Sequence, residues 1–465
     1  MPNQKGTYDT QSARELSIDG VKELFASQGC EELFIKKLSP NDNSKNQPYL
    51  AGHLNDLSFL PTGETKASVT DSNKVTAKKK PVKYQAALNL SWIDSQGQLY
   101  PAPRAKLIYY PQYPETRLSG FLLGSKVRMS EWMQPNKRGR SVGRWLILGV
   151  TEKQQTLAYL VTPGSALSNS LETIEFTYNS GVFGVLALLH SARDKSPRTI
   201  LLEELYRIHK LGWLQGSKLS KDGKLEPYRG KNAGGYTLEA YLGVKPNGIA
   251  EPDFMGWEVK QFGVTRFPNV GAKVTTLMTP EPDGGQYKDD GIIEFMKRYG
   301  YPALSGEHDR LNFGGKHSAF KQQERTTLTM DLIGYDHENS EIVDANGSIA
   351  LLSPQQEVAV SWSFAKIMNH WKKKHAQAAF VPCLKRDLEY CFGSVIKLGK
   401  GASFQQLLSA FANGHVYYDP GINLKYASTN KPKSKKRSQF RVSHKNIGGL
   451  YQTFESVQLP ENNAD

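Results

Sequence analysis

The sequence predicts two domains, an all-β N-terminal half and an α/β C-terminal half built on a mixed central sheet. Three observations carry this. The chain has 465 residues, more than one ordinary core accommodates. Between Tyr84 and Pro163, short apolar runs recur with turn residues between them, the pattern of a small barrel or sandwich. Beyond residue 199, strand-like runs alternate with amphipathic helical ones. A shift toward Pro, Gly, Ser and Asn after Pro163 divides the chain into a first domain at 1–170, a linker at 171–198 and a second domain at 199–465.

The elements follow in order. Residues 12–29 suggest an amphipathic helix. Phe34 to Leu38 reads as a strand, closed by the polar cluster at 39–44. Residues 64–83 carry Lys74, Lys78, Lys79, Lys80 and Lys83 among small polar residues, a solvated loop or a phosphate contact. From Tyr84 the β pattern runs through QAALNLSWI, AKLIYY, LGSKVRMSEWM, GRWLILGVTE and LAYLVTP. Lys137, Arg138, Arg140 and Arg144 make a basic loop within it. In the second half, Leu201, Leu205 and Ile208 share one stripe of a helix beginning near Ile200. A further helix is expected from Gln356, ending in the basic cluster Lys372, Lys373, Lys374 and His375. Another precedes Gly414, and residues 431–445 are strongly basic.

The net charge of +14 favours a polyanionic partner, with nucleic acid foremost and a merely basic enzyme as the alternative. No apolar run approaches the ~18 residues of a membrane span, and the N-terminus lacks the apolar core of a signal peptide, so a cytoplasmic protein is expected. Cys30, Cys383 and Cys391 have no zinc-like spacing and are expected as reduced thiols.

The chemistry concentrates between Gly230 and Phe262. Alternation along a strand puts Glu258 and Lys260 on one face, and Asp253, on the preceding Pro-Asp bend, reaches the same space. Two carboxylates and an ammonium at a strand end suit a hard divalent cation; a surface strand with a salt bridge is the alternative. The flanking residues PDFMGWEVKQF are otherwise apolar, and charges in a buried strand are costly unless paired or metal-bound. Glu239, at the start of a helix opening at Tyr236, adds a third carboxylate or is an ordinary first-turn acid helped by the helix dipole.

This stretch resembles the catalytic core of the PD-(D/E)XK nucleases, and within them the MvaI and BcnI restriction endonucleases and the mismatch-repair nickase MutH. The matching residues are Gly235-Tyr-Thr-Leu-Glu-Ala240, Pro252-Asp253 and Gly256-Trp-Glu-Val-Lys260. The similarity extends over about residues 199–460. It implies a restriction-endonuclease-like α/β fold with catalytic Glu239, Asp253, Glu258 and Lys260, and Mg²⁺ held by Asp253, Glu258 and the Val259 carbonyl. Lys436, Arg437, Arg441 and His444 are the candidates for contacts to double-stranded DNA; a solvated basic loop is their alternative. His317, His370 and His375 are read as structural, with minor-groove or phosphate contacts as the alternative.

FIKKLSPNDNSKNQ, Pro103-Arg104-Ala105 and Glu115-Thr-Arg117 resemble the effector domain of the EcoRII restriction enzyme, a DNA-binding pseudobarrel. Lys37, Asn41, Asp42, Arg104 and Arg117 are its candidate DNA contacts. Asn43-Ser44 departs from that family's Thr-Gly pair. The pairing implies a monomeric type IIE-like enzyme reading CCWGG, with a second copy of the site on the effector domain and a cognate DNA methyltransferase in the same system. The rivals are a MutH-like nickase, a non-enzymatic DNA-binding regulator and an RNA-processing nuclease.

Overall fold

The structure, a computed structural model, describes residues 16–42, 45–68, 82–125, 131–179, 182–187, 196–245, 252–303 and 306–459. Lys74, Lys78, Lys79 and Lys80 lie outside the described residues. The chain divides into two compact units, Met1–Asp194 and Lys195–Asp465. No described helix is long and apolar enough to cross a membrane.

The first unit is β-rich. A seven-stranded sheet runs in the order Thr177–Asn179, Phe183–Ala187, Cys30–Leu38, Arg144–Thr151, Thr156–Val161, Leu90–Ile93 and Leu99–Pro101. A five-stranded sheet runs Tyr49–Ala51, Glu115–Ser119, Lys106–Tyr110, Tyr84–Ala87 and Lys66–Ala67. Helix Ile18–Ala26 begins where Ser17 accepts a hydrogen bond from the Gly20 amide, and it lays Val21 and Phe25 on the core beside Leu33, Ile147 and Tyr159.

Two expectations change in this unit. Residues 171–198, expected as a linker, supply two strands of the larger sheet, and Phe183–Ala187 pairs antiparallel with Cys30–Leu38. The apolar run from Phe183 is drawn into the sheet because burying it outweighs leaving it in water; Phe183 is fully buried. Around Leu123 to Met133 the expected strand gives way to a 3₁₀ turn at Glu131–Met133, with residues 126–130 outside the described set.

The second unit is α/β. Its main sheet runs Trp213–Gln215, Glu389–Phe392, Gln377–Arg386, Val395–Lys400, Thr453–Gln458, and the strand Glu258–Gly263 adds to Gln377–Arg386. That last pairing is parallel, whereas the others are antiparallel, so the sheet is mixed. A parallel pair needs a long crossover. Here the crossover carries further small sheets and then helix Phe364–His375. Helix Pro197–Lys210 starts at an Ser196 cap with Pro at the first turn, and Leu201, Leu205 and Ile208 are buried as their spacing predicts.

The helix expected from Gln356 starts later. Val358–Ser363 is a strand, antiparallel to Ser348–Leu352, and the helix opens only after Ser363, whose hydroxyl accepts from the Lys366 amide. Ala359, Val360 and Trp362 are all buried. A run buried on both faces suits a central strand as well as a helix, so its periodicity does not separate the two.

Candidate active site

The site is built on one tight turn and the strand it feeds. Phe254 and Trp257 exchange backbone hydrogen bonds of 2.9 and 2.8 Å. Between them Met255 and Gly256 both take the left-handed region, at φ +47° and +80°, the requirement of a two-residue primed turn. The turn folds the chain back so that Asp253 Oδ2 accepts a 2.9 Å hydrogen bond from the Val259 amide. Asp253 is thereby fixed beside the first residues of strand Glu258–Gly263. Trp257 and Val259 enter the core with Leu201, Leu238, Ala379 and Leu398. Glu258 and Lys260, two residues apart, share a face and meet there: Lys260 Nζ donates to Glu258 Oε1 at 2.6 Å.

That ion pair is buried, with side-chain exposures of 3% for Glu258 and 16% for Lys260. A second ammonium, Lys374 Nζ, lies 3.4 Å from Glu258 Oε2 and 3.5 Å from Oε1. It comes from the last turn of helix Phe364–His375. Burial pushes the Glu258 carboxyl up, but the Lys260 and Lys374 ammonium groups outweigh it and hold the group below the ordinary range. Burial pushes the Lys260 ammonium down, and Glu258, Asp253 and Glu239 reverse this and hold it above its ordinary value. The pair is therefore ionised at neutral pH.

The other two carboxylates behave oppositely. Burial, then the charge of Glu258, pushes Asp253 up to about 6. Burial, then Asp253, pushes Glu239 up to about 7. Glu239 is not a first-turn acid: its helix spans Ala233–Tyr241, so it sits in the last turn, where the dipole opposes a negative charge. The expected start at Tyr236 fails because the helix extends back through Ala233, Gly234 and Gly235, with Ala233 and Gly234 packed inward.

The donors Asp253, Glu258 and the Val259 carbonyl are all oxygen, which suits a hard cation that keeps several waters. Burial, and after it the neighbouring carboxylates, raises Asp253 and Glu239, and added positive charge would offset both effects. These residues fit a divalent ion. Among the described residues no three His, Cys, Asp or Glu side chains gather closely enough to hold a metal alone, so carbonyl and water oxygens complete any such shell.

Lys374 and its neighbours were not legible as site residues. His375 is buried, with Nε2 donating to the Leu277 carbonyl at 3.0 Å and Nδ1 accepting from the Tyr451 hydroxyl at 3.1 Å. A carbonyl only accepts, which assigns the proton to Nε2. Burial, then the Lys260 charge, pushes His375 down to about 3, so it is neutral. The basic run at 372–375 was the available signal, but only the crossover brings its helix end to Glu258.

The DNA-contact candidates separate into groups. Arg441 donates to Asp419 Oδ2 at 2.6 Å and stands opposite Tyr417 and Thr276 in a three-stranded sheet. Lys436 and Arg437 are exposed, with Lys436 over the Tyr287 ring. The His444 ring packs tilted against Phe262, at the far end of the Glu258 strand, with ring centroids 4.1 Å apart. Burial, then Lys397, pushes it down to about 4. In the first unit Asn41 is buried, bonded to Asn46 and to the Gly139 carbonyl. Asp42 pairs with Arg140 at 3.3 Å. Lys37 is held by Glu172 at 2.7 Å and lies over Trp145. Arg117 pairs with Glu115 at 2.7 Å. Arg104 is exposed, its carbonyl so close to Gly120 that a Cβ there would fall 2.0 Å away.

Among the comparisons with known proteins, the family match falls in the second unit. No curated protein matches the chain. Restriction endonuclease MvaI in complex with its cognate DNA substrate is similar in structure, at 18% identity and a TM-score of 0.42, over 57% of this chain and 99% of that one. MvaI in the absence of DNA is similar at 16% identity and a TM-score of 0.32, with the same coverage. The model of the MvaI/BcnI restriction endonuclease family matches residues 202–451. That match takes in the Asp253 turn, the Glu258 strand and the Lys374 helix, and it spans more than half of the 465 residues. The chain belongs to the MvaI/BcnI restriction endonuclease family and is a site-specific deoxyribonuclease.

Proposed function

We propose that this chain is a Mg²⁺-dependent type II restriction endonuclease, in which Asp253, Glu258, Lys260 and Glu239 form the centre that hydrolyses a DNA phosphodiester. The observation that carries the reading is the buried, ionised Glu258–Lys260 pair with Asp253 fixed beside it on the Val259 amide. Asp253, Glu258 and the Val259 carbonyl would hold the metal. When bound, it supplies a Lewis acid at the scissile phosphate and lowers the pKa of a bound water.

The protein's own groups do the rest. Phosphodiester hydrolysis builds negative charge on the phosphorane-like transition state, and a fixed cation in a dry site stabilises it. Lys260 supplies that cation, since its neighbours keep it protonated. It also orients the attacking water. Glu239 titrates near neutrality, which suits a group that takes up a proton at working pH.

The target we propose is CCWGG. Lys436, Arg437, Arg441 and His444 belong to the reading surface of the catalytic unit. The first unit acts as the effector, a DNA-binding pseudobarrel that takes a second copy of the site through Lys37, Asp42, Arg104 and Arg117, on a loop that Asn41 holds. Its β-rich two-sheet build supports that reading, as do the exposed Arg104 and the Asp42–Arg140 pair at the surface. The burial of Asn41 makes it a support for that loop rather than a base contact. We further propose that the enzyme acts as a monomer in the cytoplasm, alongside a cognate methyltransferase.

Digestion of a defined plasmid with Mg²⁺, followed by run-off sequencing of the ends, tests this. Double-strand breaks at one short sequence are expected, and none with chelator. A persistent nick would favour the MutH-like reading, and an intact plasmid would favour a DNA-binding regulator.

A further inference from the structure

The loop Gly315–Leu328 is far more rigidly held than a surface connection needs. His317 is fully buried, its ring bonded to the Gly315 carbonyl at 3.0 Å and the Thr326 hydroxyl at 2.9 Å. The Gln323 side-chain oxygen accepts from the Arg325 and Thr326 amides at 2.9 and 2.8 Å. The Gln322 amide donates to the Thr327 carbonyl at 3.0 Å. This frame holds two non-glycine residues in the left-handed region, Phe320 at φ +61° and Thr327 at φ +58°. For a β-branched residue that conformation is strained, and such strain persists where surrounding structure over-determines it, often at ligand-contacting segments.

The frame presents three exposed cations, Lys316, Lys321 and Arg325. Lys316 lies 4.4 Å above the Tyr417 ring and Arg325 sits 5.5 Å over Tyr301. Phe320 is 43% exposed, with the His337 ring tilted against it at 4.7 Å between centroids. A ring held open to water on strained backbone gains nothing for folding.

The loop also continues a surface already described. His317 and Tyr418 exchange backbone hydrogen bonds of 2.9 and 3.0 Å. Tyr417 stands directly opposite Arg441 on the next strand. Tyr417 and Arg441 therefore sit side by side on adjacent strands, and the His317–Tyr418 bridge brings Lys316 to the edge of that sheet, over the Tyr417 ring.

We propose that Gly315–Leu328 is a preformed clamp on the sugar–phosphate backbone of duplex DNA beside the recognition site. Lys316, Lys321 and Arg325 take phosphates, and Phe320 packs on a neighbouring sugar. Polyanionic duplex is the partner because three exposed cations against the single exposed acid Glu324 leave the loop net positive around one apolar ring, on a chain of net charge +14. The inference rests on the DNA-cleaving reading of the same unit.

The test measures equilibrium binding of the full chain to a short CCAGG-containing duplex and to a scrambled duplex, in EDTA, across a salt series. Each cation that neutralises a phosphate contributes roughly 0.9 to the slope of log K against log salt. The triple variant Lys316→Ala, Lys321→Ala, Arg325→Ala is expected to bind both duplexes more weakly with a slope shallower by about 2–3, and Lys321→Ala alone by about 1. The charge-keeping variant Lys316→Arg, Lys321→Arg, Arg325→Lys is expected to retain the wild-type slope. If the triple variant fails to fold, the exposed single substitution Lys321→Ala decides. An unchanged slope overturns the clamp while leaving the nuclease reading intact. A wild-type chain that binds neither duplex at low salt overturns both.

Discussion

At the residue scale the site is defined by a contest between burial and charge. Glu258 stays ionised because two ammonium groups face it, Lys260 at 2.6 Å and Lys374 at 3.4 Å. Removing one partner of a buried pair costs on the order of 3–5 kcal/mol when the other charge is left alone. Lys374 cushions that loss here. Lys260→Ala should therefore remain folded and DNA-binding while cleavage falls by at least roughly 10²–10³. A single-turnover assay beside a gel shift checks it, and retained cleavage by this variant would remove Lys260 from the mechanism. Lys374→Ala should weaken cleavage less and lower the melting temperature, since Glu258 then has Lys260 alone. Asp253 and Glu239 set a pH dependence of the opposite sign from the usual carboxylate. Their folded pKa values, about 6 and about 7, lie above the ordinary 3.8 and 4.5. In that window the folded state holds more protons than the unfolded one, so stability of the metal-free protein falls as pH rises through it. A divalent ion offsets that repulsion. Added Mg²⁺ should raise the melting temperature more at pH 8 than at pH 5; an equal rise at both would contradict the shared carboxylate site.

At the element scale the turn at 254–257 decides whether Asp253 reaches Val259. Gly256 has φ +80° with open space around a would-be Cβ, so a substitution there is resisted by backbone strain and not by crowding. Gly256→Val should cost about 1–2 kcal/mol and displace Asp253. Cleavage should then drop more than stability, measured by activity and thermal melting of the same sample. This scale also shows what the residues reveal in advance. Period-two alternation placed Glu258 with Lys260, and the apolar stripe through Leu201, Leu205 and Ile208 marked a helix, because both patterns are local. The true start of the Glu239 helix is hidden in the sequence because the small residues Ala233 to Gly235 carry no apolar period. Val358–Ser363 was read as helix because burial on both faces erases the period-two signal. Lys374 lies 114 residues beyond Lys260, and only the parallel crossover onto Gln377–Arg386 joins them; no local pattern encodes such a meeting.

At the scale of the whole molecule, the chain forms two separate units. The second unit carries the family match and the carboxylate–lysine site. The first is a separate β-rich unit whose larger sheet recruits Thr177–Asn179 and Phe183–Ala187, so its chain runs to about residue 187 before the helix at Pro197 opens the second. The effector role proposed for the N-terminal half rests on a resemblance, while its short alternating strands reveal only its β character. If this unit reads a second site, adding a short uncleavable CCWGG duplex in trans should change the cleavage rate of a one-site plasmid, and charge reversal at Arg104 and Arg117 should abolish that change without abolishing cleavage. The central claim, that Asp253, Glu258 and Lys260 form a metal-dependent DNA-cleaving centre, is tested most directly by digesting one plasmid with the wild-type chain and with Lys260→Ala, each with Mg²⁺ and with EDTA. The account predicts breaks at one sequence for the wild type with Mg²⁺ and an uncut plasmid in the other three reactions. Cutting by Lys260→Ala, or by the wild type in EDTA, would contradict it.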